Sequence, residues 1–119
     1  MVERRRSHRF SVGLHCLMEI PSVSGTTAIA STLDISATGL CLSTQEGIEV
    51  GTQLPIQVTL PGTHQDVVTL RVEVLWVKEV VIATATEYKI GVKILEPVTE
   101  QEKKFIRFYA GKLFQFTKK

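Results

Sequence analysis

Period-two alternation of apolar and polar residues, in short runs broken by turn signals, is the feature that most limits the folds open to this chain. Phe10, Val12, Leu14, Cys16, Met18 and Ile20 alternate with Ser11, Gly13, His15 and Glu19, which predicts a first strand; Leu17 breaks its pattern. Pro21 and the run Ser22 to Gly25 predict a turn. A second strand is expected over Thr27 to Ile35 and a third from Leu40 to near Ser43, followed by a loop through Glu46, Gly47 and Gly51. Leu54, Ile56, Val58 and Leu60 mark the apolar face of a fourth strand, which Pro61 and Gly62 close. A fifth runs from about Val67 to Lys78 with Leu70, Val72, Val74 and Trp76 on one face, and its partner carries Tyr88, Ile90, Val92 and Ile94. Six short strands in 119 residues predict a mainly β fold, a six-stranded antiparallel barrel, because closure removes exposed sheet edges.

Beyond Pro97 the period changes. Thr99-Glu100-Gln101-Glu102 has the form of a capping box, and Phe105, Ile106, Tyr109, Leu113 and Phe116 recur at helical spacing. An amphipathic C-terminal helix over about residues 100–116 is therefore expected, packed on the barrel, with acids opening it and bases closing it. Phe108, Phe114 and Phe116 read either as a partner surface or as an imperfect core face. The length suits one domain, residues 10–119, preceded by a flexible arginine-rich arm, residues 1–9.

Charge is unevenly spread. Four arginines stand against Glu3 in residues 1–9, leaving ten bases against eleven acids in the remainder. The last seventeen residues are again basic and hold no acid. A small polyanion suits this pattern better than DNA or RNA, which ask for a broader basic footprint and exposed aromatics along a groove. No run reaches the roughly 18 apolar residues of a membrane span, and the basic N-terminus lacks the apolar core of a signal peptide, so a cytoplasmic location without membrane insertion is expected. Cys16 and Cys41 lack the spacing of a metal or redox motif and read as reduced structural residues. His15 and His64 show no metal or catalytic pattern, His8 reads as a solvated spacer, and Ser7 has no evident base. No catalytic constellation, cofactor or metal site is expected.

Two constellations remain. Arg4-Arg5-Arg6-Ser7-His8-Arg9 ends where the first strand begins, and in an extended chain Arg5 and Arg9 share a face. Arginine binds phosphate bidentately, pairs with the O6 and N7 edge of guanine and stacks on bases. The same arginines alone read equally as a solvated basic tail. The second constellation is Asp34-Ile35-Ser36-Ala37-Thr38-Gly39. With Ile29, Leu33 and Ile35 taken as the apolar set, Asp34 and Ser36 both face outward, where a carboxylate can accept from guanine N1–H and N2–H or hold an arginine. Gly39 can take a positive φ or admit a ligand close to the backbone. Taken alone, Asp34 and Ser36 read first as a hairpin satisfying its own turn amides. The parity of Trp76 puts it on the core face, although near a strand end its ring can also stack on a base.

Together, Arg5-x-x-x-Arg9 and Asp34-x-Ser36-x-x-Gly39 resemble the paired signature of the PilZ family. Trp76, the Tyr88-x-x-Gly91 segment and the order of barrel then helix are similar to that family as well. Ile94 departs from it, standing where many relatives have Phe; this touches packing. The resemblance implies a PilZ-like split barrel that is a binding module and not an enzyme. Its ligand would be cyclic di-GMP, a dinucleotide with two guanines and two phosphates. It further implies that Arg5 and Arg9 clasp guanine and phosphate, Asp34 holds a guanine edge, Ser36 hydrogen-bonds the ligand and Gly39 shapes the turn. Arg4 and Arg6 would be additional donors, Arg4 in the position that accompanies binding of a stacked ligand dimer. Ligand would order the arm and create a surface for a downstream protein, in motility, biofilm or polysaccharide control. The rival implied by the same family is a protein–protein adaptor that binds no nucleotide.

Overall fold

The computed structural model describes residues 11–21, 27–61, 66–96 and 98–117, the last five of these by backbone alone. Six strands, β1 (His15–Glu19), β2 (Thr27–Ile35), β3 (Gly39–Thr44), β4 (Gln53–Leu60), β5 (Asp66–Ile82) and β6 (Ala85–Ile94), precede one helix, α1 (Glu100–Thr117). They close into an antiparallel barrel in the order β1-β2-β3-β6-β5-β4, with β4 returning to β1. Every strand contributes alternate side chains to one core, including Cys16, Met18, Ile35, Leu42, Ile56, Val58, Leu70, Val72 and Ile90. Burial pushes the Cys16 thiol up to about 12, which keeps it protonated and inert, and neither Cys16 nor Cys41 is in a disulfide. No helix among the described residues is long and apolar enough to cross a membrane.

Three expectations need correction. The alternation of β1 continues through Leu17, which faces outward and is half-buried; the strand itself begins at His15, and Phe10 lies outside the described residues. β5 continues past Lys78 to Ile82 and turns through Ala83 and Thr84 into β6. Ala83 takes the left-handed backbone (φ 56°) that L-residues seldom adopt, so composition hid this hairpin. The acids expected at the helix start are present as Glu100 and Glu102, but the last turn carries no base.

The helix start also closes an edge. β6 pairs with β5 only from Val72 onward, leaving the earlier part of β5 open on that side. The first turn of α1 covers it: Thr69 N–H donates to Gln101 Oε1 (3.3 Å), and Arg71 N–H donates to Glu102 Oε2 (2.7 Å). Arg71 adds Nε–H to Oε2 (3.0 Å) and Nη2–H to Oε1 (2.9 Å), a bidentate clasp on a carboxylate that is 0% exposed. The capping box is complete. Glu102 N–H donates to Thr99 Oγ1 (3.2 Å) and Thr99 N–H donates back to Glu102 Oε1 (2.8 Å). Phe105 and Tyr109, one and two turns on, bury against the barrel.

Burial opposes the charged form of Glu102, but the Arg71 side chain and backbone and the Thr99 amide outweigh it and hold the carboxyl at about 2, against an ordinary 4.5. A depressed carboxyl stabilises the fold above its ordinary value and ceases to do so as pH falls from 4.5 toward 2. Glu102→Gln should therefore be less stable than wild type by about 2–3 kcal/mol at pH 7, allowing for screening at the half-exposed Arg71. Denaturant melts across pH 7 to 2 should show that gap closing below pH 4.5; a gap independent of pH would show that the carboxylate charge contributes nothing.

Candidate functional site

Asp34, Ser36 and Gly39 lie at the turn between β2 and β3, and the turn uses two of them itself. Ser36 N–H donates to the Gly39 carbonyl (2.9 Å), while Ser36 Oγ accepts from the amides of Thr38 (3.3 Å) and Gly39 (3.2 Å). Ser36 is only 3% exposed, so it does not face outward with Asp34 as parity suggested. Gly39 is needed for close approach. A Cβ there would sit 2.3 Å from the Val92 carbonyl oxygen of β6, and Gly39 is not among the glycines with positive φ. Ile94 N–H donates to the Thr38 carbonyl (2.8 Å), fixing the turn to β6.

Asp34 does reach the outer face, for a different reason than expected. The inward residues of β2 are Ala28, Ala30 and Thr32, not Ile29 and Leu33, which are 69% and 38% exposed. A bulge between Thr32 and Asp34 then shifts the register by one residue, so that Ile35 returns to the core and Asp34 faces outward. β5 has the same device between Val74 and Trp76. It turns Trp76 out of the barrel, 44% exposed, where uninterrupted parity had placed it in the core.

The two bulges put both side chains on one transverse row. Asp34 pairs with Cys41, Cys41 with Gly91 and Gly91 with Trp76, across β2, β3, β6 and β5. At about 4.8 Å per strand the row spans roughly 14 Å, with a carboxylate at one end and an indole at the other. The indole lies over Gly91: a Cβ there would stand 2.1 Å from Trp76 Nε1. A glycine inside a strand is a sequence signal for such close approach.

Arg4, Arg5, Arg6 and Arg9 lie outside the described residues, as do Ser7, His8 and His64. The described chain begins at Ser11, on the Asp34 side of Thr32, and runs antiparallel to β2 away from Asp34. Thr32, which the sequence reading passed over, fastens it there. Leu14 N–H donates to Thr32 Oγ1 (2.7 Å), Thr32 N–H donates to the Leu14 carbonyl (3.0 Å), and the hydroxyl donates to the Val12 carbonyl. Its signal was a polar residue among small inward ones. Among the described residues no cluster of His, Cys, Asp and Glu is able to hold a metal.

A closed six-stranded antiparallel barrel followed by a single C-terminal helix defines a small, mainly β class of fold. Residues 3–111 match the family described as PilZ domain, and the chain belongs to that family. Comparison with curated proteins gave no match. Among solved structures, the chain is similar to the PilZ domain of YcgR from Escherichia coli, determined with c-di-GMP. The identity is 16% and the TM-score 0.70, over 98% of this chain and 99% of that one. It is similar to the Bacillus subtilis inhibitor of motility MotI/DgrA, at 14% identity and TM-score 0.72, over 96% of this chain and 53% of the other. It is similar also to the Borreliella burgdorferi PlzA protein in complex with c-di-GMP, at 19% identity and TM-score 0.63, over 92% and 53%. The chain thus spans about half the length of the latter two. At these identities the likeness establishes the fold.

The two glycines of the site should respond differently to alanine. Gly39→Ala meets backbone and should cost about 1–3 kcal/mol in a denaturant melt. Gly91→Ala meets the end of a side chain that can swing away. It should leave the melt little changed while shifting the emission of Trp76, the chain's single tryptophan, to the red. Equal losses of stability would show that the indole cannot move.

Proposed function

We propose that the chain is a cytoplasmic receptor for cyclic di-GMP, a binding module that passes the signal to a partner protein. The observation that carries the reading is the row from Asp34 to Trp76 on the outer wall, beside the point where the chain arrives from its arginine-rich segment, in a member of the PilZ family. The c-di-GMP-bound structures of YcgR and PlzA support the choice of ligand.

The chemistry follows from the residue types. Asp34 accepts from the N1–H and N2–H of a guanine, or orients an arginine that does the reading. Trp76, backed by Gly91, offers the outer face of its indole to a base; such stacking contributes about 1–3 kcal/mol per base. Arg5 and Arg9 clasp guanine and phosphate, with Arg4 and Arg6 as further donors. Ser36 and Gly39 act by shaping the turn, since the Ser36 hydroxyl is already engaged there. Ligand draws the arginine segment onto the row, and the surface so formed is what the partner recognises.

Trp76 supplies its own probe. Titration with cyclic di-GMP should change its emission saturably, at micromolar concentration or below, and calorimetry should return the same affinity and the stoichiometry. Arg5→Ala/Arg9→Ala should abolish the response in a folded protein, and Asp34→Ala should weaken binding tenfold or more, about 1.5–3 kcal/mol for a charged hydrogen bond. No response in either measurement sinks the receptor reading and leaves the adaptor as the account to pursue.

A further inference from the structure

One step along the strands from the Trp76–Gly91 pair, on the same face, two lysines stand directly opposite each other. Lys78 of β5 is the cross-strand partner of Lys89 of β6, and both are exposed. Like charges placed directly opposite destabilise a sheet. Among the described residues neither lysine makes an ion pair. Neither neighbouring acid forms an ion pair with them. Glu87, two residues before Lys89 on the same face, accepts from Ser43 Oγ (3.2 Å), and Glu79 is on the other face opposite Tyr88. Lys93 makes the contrast, since it stands opposite Glu73.

The lysine pair also begins a second row parallel to the first. Lys89 pairs with Ser43, Ser43 with Ser31 and Ser31 with His15, so two ammonium groups, two hydroxyls and an imidazole cross five strands. His15, Ser31 and Ser43 line an open groove of about 640 Å³ together with Thr27, Ile29 and Glu87. The step between the rows is two residues, about 7 Å, which an extended lysine side chain covers.

We infer that Lys78 and Lys89 bind a phosphodiester of the cyclic dinucleotide, extending the site from the indole toward the Ser43–Ser31 side. This rests on the receptor reading above. A base stacked on Trp76 carries its ribose and phosphate at the edge of the ring, and two ammonium groups one step away neutralise that phosphate while it relieves their mutual repulsion.

The test titrates cyclic di-GMP into wild type, Lys78→Gln/Lys89→Gln and Lys104→Gln/Arg107→Gln, at low and high salt, by Trp76 emission and calorimetry. The second double variant removes the same charge from exposed positions of α1. The lysine-pair variant should bind about tenfold more weakly at low salt with a flatter salt dependence, and its ligand-free melting temperature should equal or exceed that of wild type. The α1 variant should bind as wild type does. Affinity and salt dependence unchanged in Lys78→Gln/Lys89→Gln, or lowered equally in both variants, overturns the inference while leaving the receptor reading in place. A wild type that gives no response overturns both.

Discussion

A six-stranded sheet that closes on itself must turn every second side chain toward a shared interior, and the outer wall becomes the only surface on which the strands can carry chemistry. Closure here is finished by a helix. Where β6 stops short, the amides of Thr69 and Arg71 would face solvent as an open edge, and Gln101 and Glu102 accept from them instead. Because Glu102 also completes the capping box and is clasped by Arg71, one buried carboxylate fixes where the helix starts, how it sits on β5 and which edge it covers. Its charge is tolerable in that position only because four hydrogen bonds converge on its two oxygens.

Strict alternation would have produced a barrel with neither Asp34 nor Trp76 on its outer wall. Continued without interruption, the parity of β2 would have sent Asp34 inward behind Ala30 and Thr32, and that of β5 would have kept Trp76 behind Val72 and Val74. A single extra residue in each strand reverses both. The bulges fall in register: Asp34 and Trp76 meet through Cys41 and Gly91 on one row, and Gly39 and Lys93 occupy the next. The inserted residues themselves, Leu33 and Leu75, are left partly exposed, 38% and 48%, an apolar cost accepted at the rim of the site.

What could be read from the sequence followed the same division. Alternation located all six strands, gave the bounds of β2 and found the helix through its capping box, since burial and capping leave local signals. Parity failed at Ile29, Leu33 and Trp76, because parity is a running count and one inserted residue reverses it from one side of the bulge to the other, and at Ser36 because the strand has already given way to the turn. The clues were present but weak: Thr32 among small inward residues, and the unbroken apolar run Val74-Leu75-Trp76-Val77, which no single face can hold. The Lys78–Lys89 pair could not be found at all without the register, as the two residues belong to different strands and neither neighbour hints at the other. Arg4, Arg5, Arg6 and Arg9 remain legible by sequence alone, their places lying outside the described residues.

The middle of the row sets how its two ends stand relative to each other. Cys41 and Gly91 are the two residues between Asp34 and Trp76, and each carries almost no side chain above the sheet. Ile90 and Val92 flank Gly91 in the core, as Leu40 and Leu42 flank Cys41, so the floor is held from beneath by packed side chains. The indole already lies on that floor over Gly91, which sets the height of its outer face relative to the carboxylate. A larger residue at either central position would lift the indole or separate the two ends. The site therefore depends as much on what these two positions omit as on the groups that Asp34 and Trp76 supply.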